Sequence, residues 1–194
     1  RGTDYIADTS GTANSGRIIV NPGGSGGAGD KEMKIYFTGL APATLSGSGP
    51  LDVIVNVDAT TTVDVKDDSN PGDGWNIVDG NSTFEDVTFS GYSTLNVYSG
   101  NGAETITLQA LDSAGAVTTI NLSGDNFTGS DSGNDTFDIQ ASPAGVTVNL
   151  VGGAGDDTFQ MKVNVSGTIN GGSGSETSGD KLDVSGHATA QVVD

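Results

Sequence analysis

Gly152-Gly153-Ala154-Gly155-Asp156-Asp157-Thr158-Phe159-Gln160 follows the nine-residue pattern Gly-Gly-x-Gly-x-Asp-x-apolar-x, and its reading decides the fold. The glycines allow a tight turn with exposed carbonyls, and Asp157 adds a carboxylate oxygen. Phe159 then starts a strand that enters the core. When such turns stack, carbonyl and carboxylate oxygens line one edge and offer a hard cation such as Ca²⁺ an all-oxygen ligand set.

The turn recurs in graded form. Ser99-Gly100-Asn101-Gly102-Ala103-Glu104-Thr105-Ile106 and Ser130-Asp131-Ser132-Gly133-Asn134-Asp135-Thr136-Phe137 precede the full match. Gly171-Gly172-Ser173-Gly174 opens a fourth turn that an insertion delays until Asp180-Lys181-Leu182. Stacking brings Asp135 and Asp157 together with glycine carbonyls between them, and a cation relieves their repulsion. The expected ligands are Asp135 and Asp157 with the carbonyls of Gly133, Gly153 and Gly155. Asp131, Asp156 and Glu104 are second choices.

A second signal is an apolar-Asn-apolar tripeptide at Val55-Asn56-Val57, Trp75-Asn76-Ile77, Leu95-Asn96-Val97, Ile120-Asn121-Leu122 and Val148-Asn149-Leu150. From Asn56 through Asn170 the spacings are 20, 20, 25, 28 and 21 residues, which suits one coil of a solenoid. After each turn a second strand is marked by period-2 apolar pairs such as Val63/Val65, Ile106/Leu108, Phe137/Ile139 and Phe159/Met161. The predicted fold is all-β, a right-handed parallel β-helix or β-roll with coils of about 20–28 residues. Alternation turns Val146, Val148 and Leu150 inward and Thr147 and Asn149 outward, so stacked Asn amides form a ladder. A calcium-stapled β-sandwich is the rival, and it predicts antiparallel hairpins.

The net charge of -18 must repel itself unless cations neutralise it. The seven basic residues are scattered, which argues against a nucleic-acid partner. Cys is absent, so disulfides contribute nothing and bound metal is the available staple. No apolar run is long enough to span a membrane. The start Arg1-Gly2-Thr3-Asp4, with neither Met nor an apolar signal region, fits a processed or excised piece.

These residues resemble the RTX-type, haemolysin-type calcium-binding repeats of secreted bacterial proteins, and more narrowly repeats of very large surface proteins of planctomycetes and similar bacteria. The resemblance covers residues 95 to 184. It implies a parallel β-roll or β-helix, calcium between stacked turns, and a place in extracellular or cell-surface material. The chain departs from the family in having one such turn per coil, which confines calcium to one edge. Residues 1–50 form a Gly/Ser-rich section, a first coil or a cap, and residues 51–194 the repeat solenoid. Ser15–Asn21 echoes the stretch that runs into Asn170, as if both opened equivalent coils.

His187 is the only imidazole and Cys is absent, so nucleophilic triads and zinc chemistry find no support. The expectation is a non-enzymatic, self-associating extracellular module stabilised by calcium in a surface layer, fibre or matrix. The alternatives are an adhesin for a partner surface or glycan, and a polysaccharide-active enzyme, which requires converging carboxylates beside a basic residue.

Overall fold

The computed structural model describes residues 2–7, 15–21, 33–38, 43–55, 60–126 and 132–187. They are all-β, with no helix among them. The first eight strands are β1 (Gly2–Ala7), β2 (Ser15–Asn21), β3 (Met33–Thr38), β4 (Ala43–Ser46), β5 (Pro50–Ile54), β6 (Thr62–Asp67), β7 (Trp75–Asp79) and β8 (Val87–Ser90). The rest are β9 (Thr94–Tyr98), β10 (Thr105–Leu108), β11 (Thr119–Ser123), β12 (Thr136–Ile139), β13 (Thr147–Gly153), β14 (Thr158–Met161), β15 (Ile169–Gly172) and β16 (Lys181–Asp183).

They form two open eight-stranded sheets, ordered β15-β13-β11-β9-β5-β1-β2-β3 and β16-β14-β12-β10-β6-β7-β8-β4. Most pairings are parallel. From β9 onward the chain alternates between the sheets, so each rung contributes one strand to each.

Period-2 patterning produces this arrangement. In β9 and β11 the apolar residues Leu95, Val97, Ile120 and Leu122 are buried, and the Thr and Asn between them stand on the outer face. In-register pairing piles like on like. Val53, Val97, Leu122, Leu150 and Ile169 make one inward column, and Val63, Ile106, Phe137, Phe159 and Leu182 another. One hydrophobic cluster drawn from both sheets is the core. Within it the Phe137 and Phe159 rings stack at 4.9 Å, which contributes about 0.5–1.5 kcal/mol beyond burial.

The Asn ladder is present on the outer face of the first sheet. Asn149 Nδ2 donates to Asn121 Oδ1 at 2.8 Å, Asn121 Nδ2 to Asn96 Oδ1 at 2.6 Å, and Asn96 Nδ2 to Asp52 Oδ1 at 2.5 Å. Its foot is Asp52, in register with Asn96. Asn56 lies outside the described residues.

Asn76 departs from the expected column. β7 runs antiparallel between β6 and β8 in the second sheet, and Asn76 faces inward at 1% exposure, where Oδ1 accepts from the Asp112 N–H at 2.9 Å. Turn chemistry is the cause. Asn70 N–H donates to Asp68 Oδ1 and Trp75 N–H to Asp73 Oδ1, so residues 68–75 reverse the chain before it can cross to the other sheet.

The echo between Asn21 and Asn170 does not translate into equivalent strands. β2 is antiparallel to both β1 and β3 in one sheet, whereas β15 is parallel to β13 and the chain then passes to the other sheet.

Candidate metal centre

Glu104, Asp135, Asp157 and Asp180 each stand immediately before a strand of the second sheet, and pairing of those strands places them in one column. The first three are 1% exposed. The three aspartate carboxylates take over the main-chain ladder where regular pairing stops. Glu104 N–H donates to Asp135 Oδ1 at 2.8 Å, Asp135 N–H to Asp157 Oδ1 at 2.8 Å, and Asp157 N–H to Asp180 Oδ1 at 3.0 Å. Their carbonyls accept from the next rung, as where Thr158 N–H donates to Asp135 O at 2.8 Å. Thr61, in register one strand earlier, begins the column with a neutral side chain.

The second carboxylate oxygens turn toward glycines. A Cβ on Gly152 would lie 2.1 Å from Asp157 Oδ2 and 2.5 Å from the Gly171 carbonyl oxygen. One on Gly124 would meet Asp135 Oδ2 at 2.0 Å and the Gly152 carbonyl oxygen at 2.6 Å. At Gly124 and Gly152 a carboxylate oxygen and the next rung's carbonyl oxygen therefore meet at the same bare glycine, while Gly171 meets the Asp180 carboxylate alone.

Gly133, Gly153 and Gly155 are close by in different roles. Gly155 adopts φ +128°, and a Cβ there would sit 1.9 Å from the Gly133 carbonyl oxygen, so the two turns stack backbone to backbone at this point. The Gly153 carbonyl accepts from Ser173 N–H at 3.0 Å.

Asp156 points away from Asp157 and holds the following loop. Its Oδ1 accepts from the N–H groups of Thr177, Ser178 and Gly179, each at 2.8 Å. These bonds, that from Ser178 foremost, hold its carboxyl below the usual range. Glu104 Oε1 accepts from Gly102 N–H at 2.8 Å. Asp131 lies outside the described residues.

The predicted pair Asp135 and Asp157 is thus brought together, with Glu104 in the same column. Asp180 and the glycines 124, 152 and 171 complete it, although the ligand set read from the sequence omits them. Among the described residues no three His, Cys, Asp or Glu side chains converge on one point, so an ion held here would draw mainly on main-chain carbonyls.

A second charged cluster lies on the outer face of the second sheet. Lys66 Nζ is 2.7 Å from Asp79 Oδ2 and 3.8 Å from Asp64 Oδ2, and the hydrogen bond to Asp79 raises the Lys66 pKa. Burial works to raise Asp79, yet Lys66 and the Asn81 amide bring it below its ordinary value. Burial raises its neighbour Asp86. Asp79 Oδ1 accepts from Asn81 N–H at 2.8 Å and Asp86 Oδ1 from Gly80 N–H at 3.0 Å, so both carboxylates cap the turn between β7 and β8.

Comparison with known proteins gives no match: no family model, no curated protein and no solved structure matches the chain.

Proposed function

We propose that the chain is a non-enzymatic structural module of an extracellular surface layer, fibre or matrix, built as a right-handed parallel β-solenoid and stiffened by calcium along one edge. The alternation of β9 to β16 between two parallel sheets supports the architecture, and the strong preference of parallel crossovers for one hand supports the handedness. The observation that carries the reading is the stacked column of Glu104, Asp135, Asp157 and Asp180, with a main-chain carbonyl brought beside the second oxygen of Asp135 and of Asp157.

Calcium fits the chemistry of this donor set, which is all oxygen, charged, and repeated at one-rung spacing. Asp135 and Asp157 would hold it with glycine carbonyls of the turns, Gly133, Gly153 and Gly155 among those expected. Asp156 and Glu104 would add charge nearby. The bound ion would supply neutralisation of a self-repelling column and a link between rungs. At roughly 1 mM calcium, with the weak affinities of extracellular modules, each ion adds about 0.4–1.4 kcal/mol. A chain in low calcium would stay looser. The non-enzymatic part of the reading is supported by the use of the Lys66, Asp79 and Asp86 cluster as a turn cap.

The test is thermal unfolding with calcium and with chelator. Asp157→Ala also deletes the acceptor for Asp135 N–H and so destabilises in both conditions. Asp157→Asn keeps an acceptor oxygen and removes the charge. Wild type is expected to melt a few degrees higher in calcium than in chelator, and Asp157→Asn to lose that increment while matching wild type in chelator. Identical wild-type melting in both conditions would defeat the calcium reading.

A further inference from the structure

At the edge opposite the acid column, the chain returns from the second sheet to the first through residues 109–118 and 140–146. Between these two loops and the start of β7 lies a cavity of about 160 Å³. A protein cavity of roughly 150 Å³ takes up benzene, so there is room here for one compact group.

Asn76 is the buried polar group of its lining, at 1% exposure. Its amide has a fixed orientation, because Oδ1 accepts from Asp112 N–H at 2.9 Å. Nδ2 is left as the donor, and among the described residues it meets no acceptor. Gly115, also in the lining, keeps the approach to Nδ2 bare, since a Cβ there would come within 3.0 Å of it. A buried amide donor without an acceptor is costly, and an oxygen atom on an occupant relieves that cost.

The rest of the lining decides what else the occupant carries. Leu111, Val117 and Val146 form apolar walls, and Ser113 and Ala144 are exposed at the mouth. Asp112 is 6% exposed, and its oxygens are already engaged: Oδ2 accepts from the N–H groups of Gly72 at 2.5 Å and Asp73 at 3.0 Å, Oδ1 from Ala114 N–H at 2.6 Å. These bonds, that from Ala114 foremost, hold its carboxyl below the usual range, so a fixed negative charge beside the cavity disfavours an anion. The fitting occupant is neutral, with an acceptor oxygen and a small apolar end. The strands on either side, β10 to β13, are each paired on both sides, so an extended peptide finds no strand edge to join. That favours a group projecting from a sugar over one carried on a peptide.

We propose that this cavity binds the acetamido group of an N-acetylated amino sugar. The acetamido carbonyl accepts from Asn76 Nδ2, the methyl packs against Leu111, Val117 and Val146, and the N–H meets the Ser113 hydroxyl at the mouth, where the sugar ring stays in solvent. The site goes beyond the structural reading and is independent of calcium, since it lies at the edge away from the acid column.

Nitrogen-15 NMR on the whole labelled chain tests this, with the methyl glycoside of N-acetylglucosamine added in calcium and again in chelator. The Asn76 side-chain amide and the main-chain amides of Gly115 and Val146 are expected to shift together, with a Kd of about 1 mM in both conditions. Methyl glucoside, which carries a hydroxyl in place of the acetamido group, should bind at least about tenfold more weakly. Asn76→Asp keeps the acceptor for Asp112 N–H and removes the donor, so it should lose the sugar. Because a second buried carboxylate there costs stability, Ala144→Trp at the exposed mouth is the paired variant: it should block the sugar and melt as wild type does. No shift with the sugar, shifts scattered away from this edge, equal binding of methyl glucoside, or wild-type binding by Ala144→Trp would overturn the proposal. A peptide carrying Nε-acetyl-lysine that binds more tightly than the sugar would overturn the glycan assignment.

Discussion

Gly152 lies outside the left-handed region, so its backbone alone would accept alanine. The obstacle is the neighbouring rung, where a methyl group would meet Asp157 Oδ2 at 2.1 Å and the Gly171 carbonyl oxygen at 2.5 Å. Gly152→Ala is therefore expected to destabilise by about 1–3 kcal/mol in urea unfolding, with Gly124→Ala behaving alike. Stability unchanged in both would mean that the acid column does not pack against those glycines. Asp156 gives a pH-dependent effect of known sign. Its folded pKa is depressed by three N–H donors, so its contribution is present above the ordinary Asp range and is lost as pH falls through the folded value. Asp156→Asn should thus melt below wild type at pH 7, and the gap should close on acidification. A gap that stays constant with pH would assign the effect to something other than the charge.

At the scale of the element, the Asn ladder makes each outer strand depend on its neighbours. Asn121 both donates to Asn96 and accepts from Asn149, so Asn121→Ala breaks two bonds and leaves a gap in mid-ladder. The expected loss is about 1–2 kcal/mol, and Asn96→Ala, which likewise breaks two bonds, should cost about as much in urea unfolding. Equal and negligible losses at both positions would reduce the ladder to surface decoration. This element was legible in the sequence because apolar-Asn-apolar, repeated at coil-length spacing, fixes both the buried face and the register. The same tripeptide misled at Asn76, where Asx turns had already reversed the chain and put the amide inside. Asp52 was missed as the ladder's foot because it is not Asn, and Asp180, read as the delayed acid of the fourth turn, was left out of the ligand set because the insertion after Gly174 destroys the nine-residue spacing. The antiparallel run of β1 to β3 had no legible signal, since Gly and Ser between strands permit a hairpin and a crossover equally.

At the scale of the whole molecule, rungs that contact only their neighbours should open from the ends inward. The column residues Leu95, Ile120 and Val148 on one side and Ile106 and Phe137 on the other are fully buried, with a strand above and below each. Among the described residues β15 and β16 each pair on one side only, and Ile169 and Leu182 are 40% and 48% exposed. Opening β16 breaks few hydrogen bonds, exposes little new apolar surface and leaves the Phe137–Phe159 stack intact. Opening β12 would expose both faces of that stack and break the acid column in its middle. Native-state hydrogen exchange on dilute protein should therefore show main-chain amides of β15 and β16 exchanging fastest, those of β14 slower, and those of β10 to β12 near the limit set by global unfolding. Under the proposed calcium linkage, added calcium should slow the acid-column amides of Asp135 and Asp157 more than those of the Asn-ladder strands on the opposite sheet, because the proposed site lies along one edge only. Uniform exchange across β9 to β16 would mean that the two sheets unfold as a single block, and that rung-by-rung stacking is not what sets their stability.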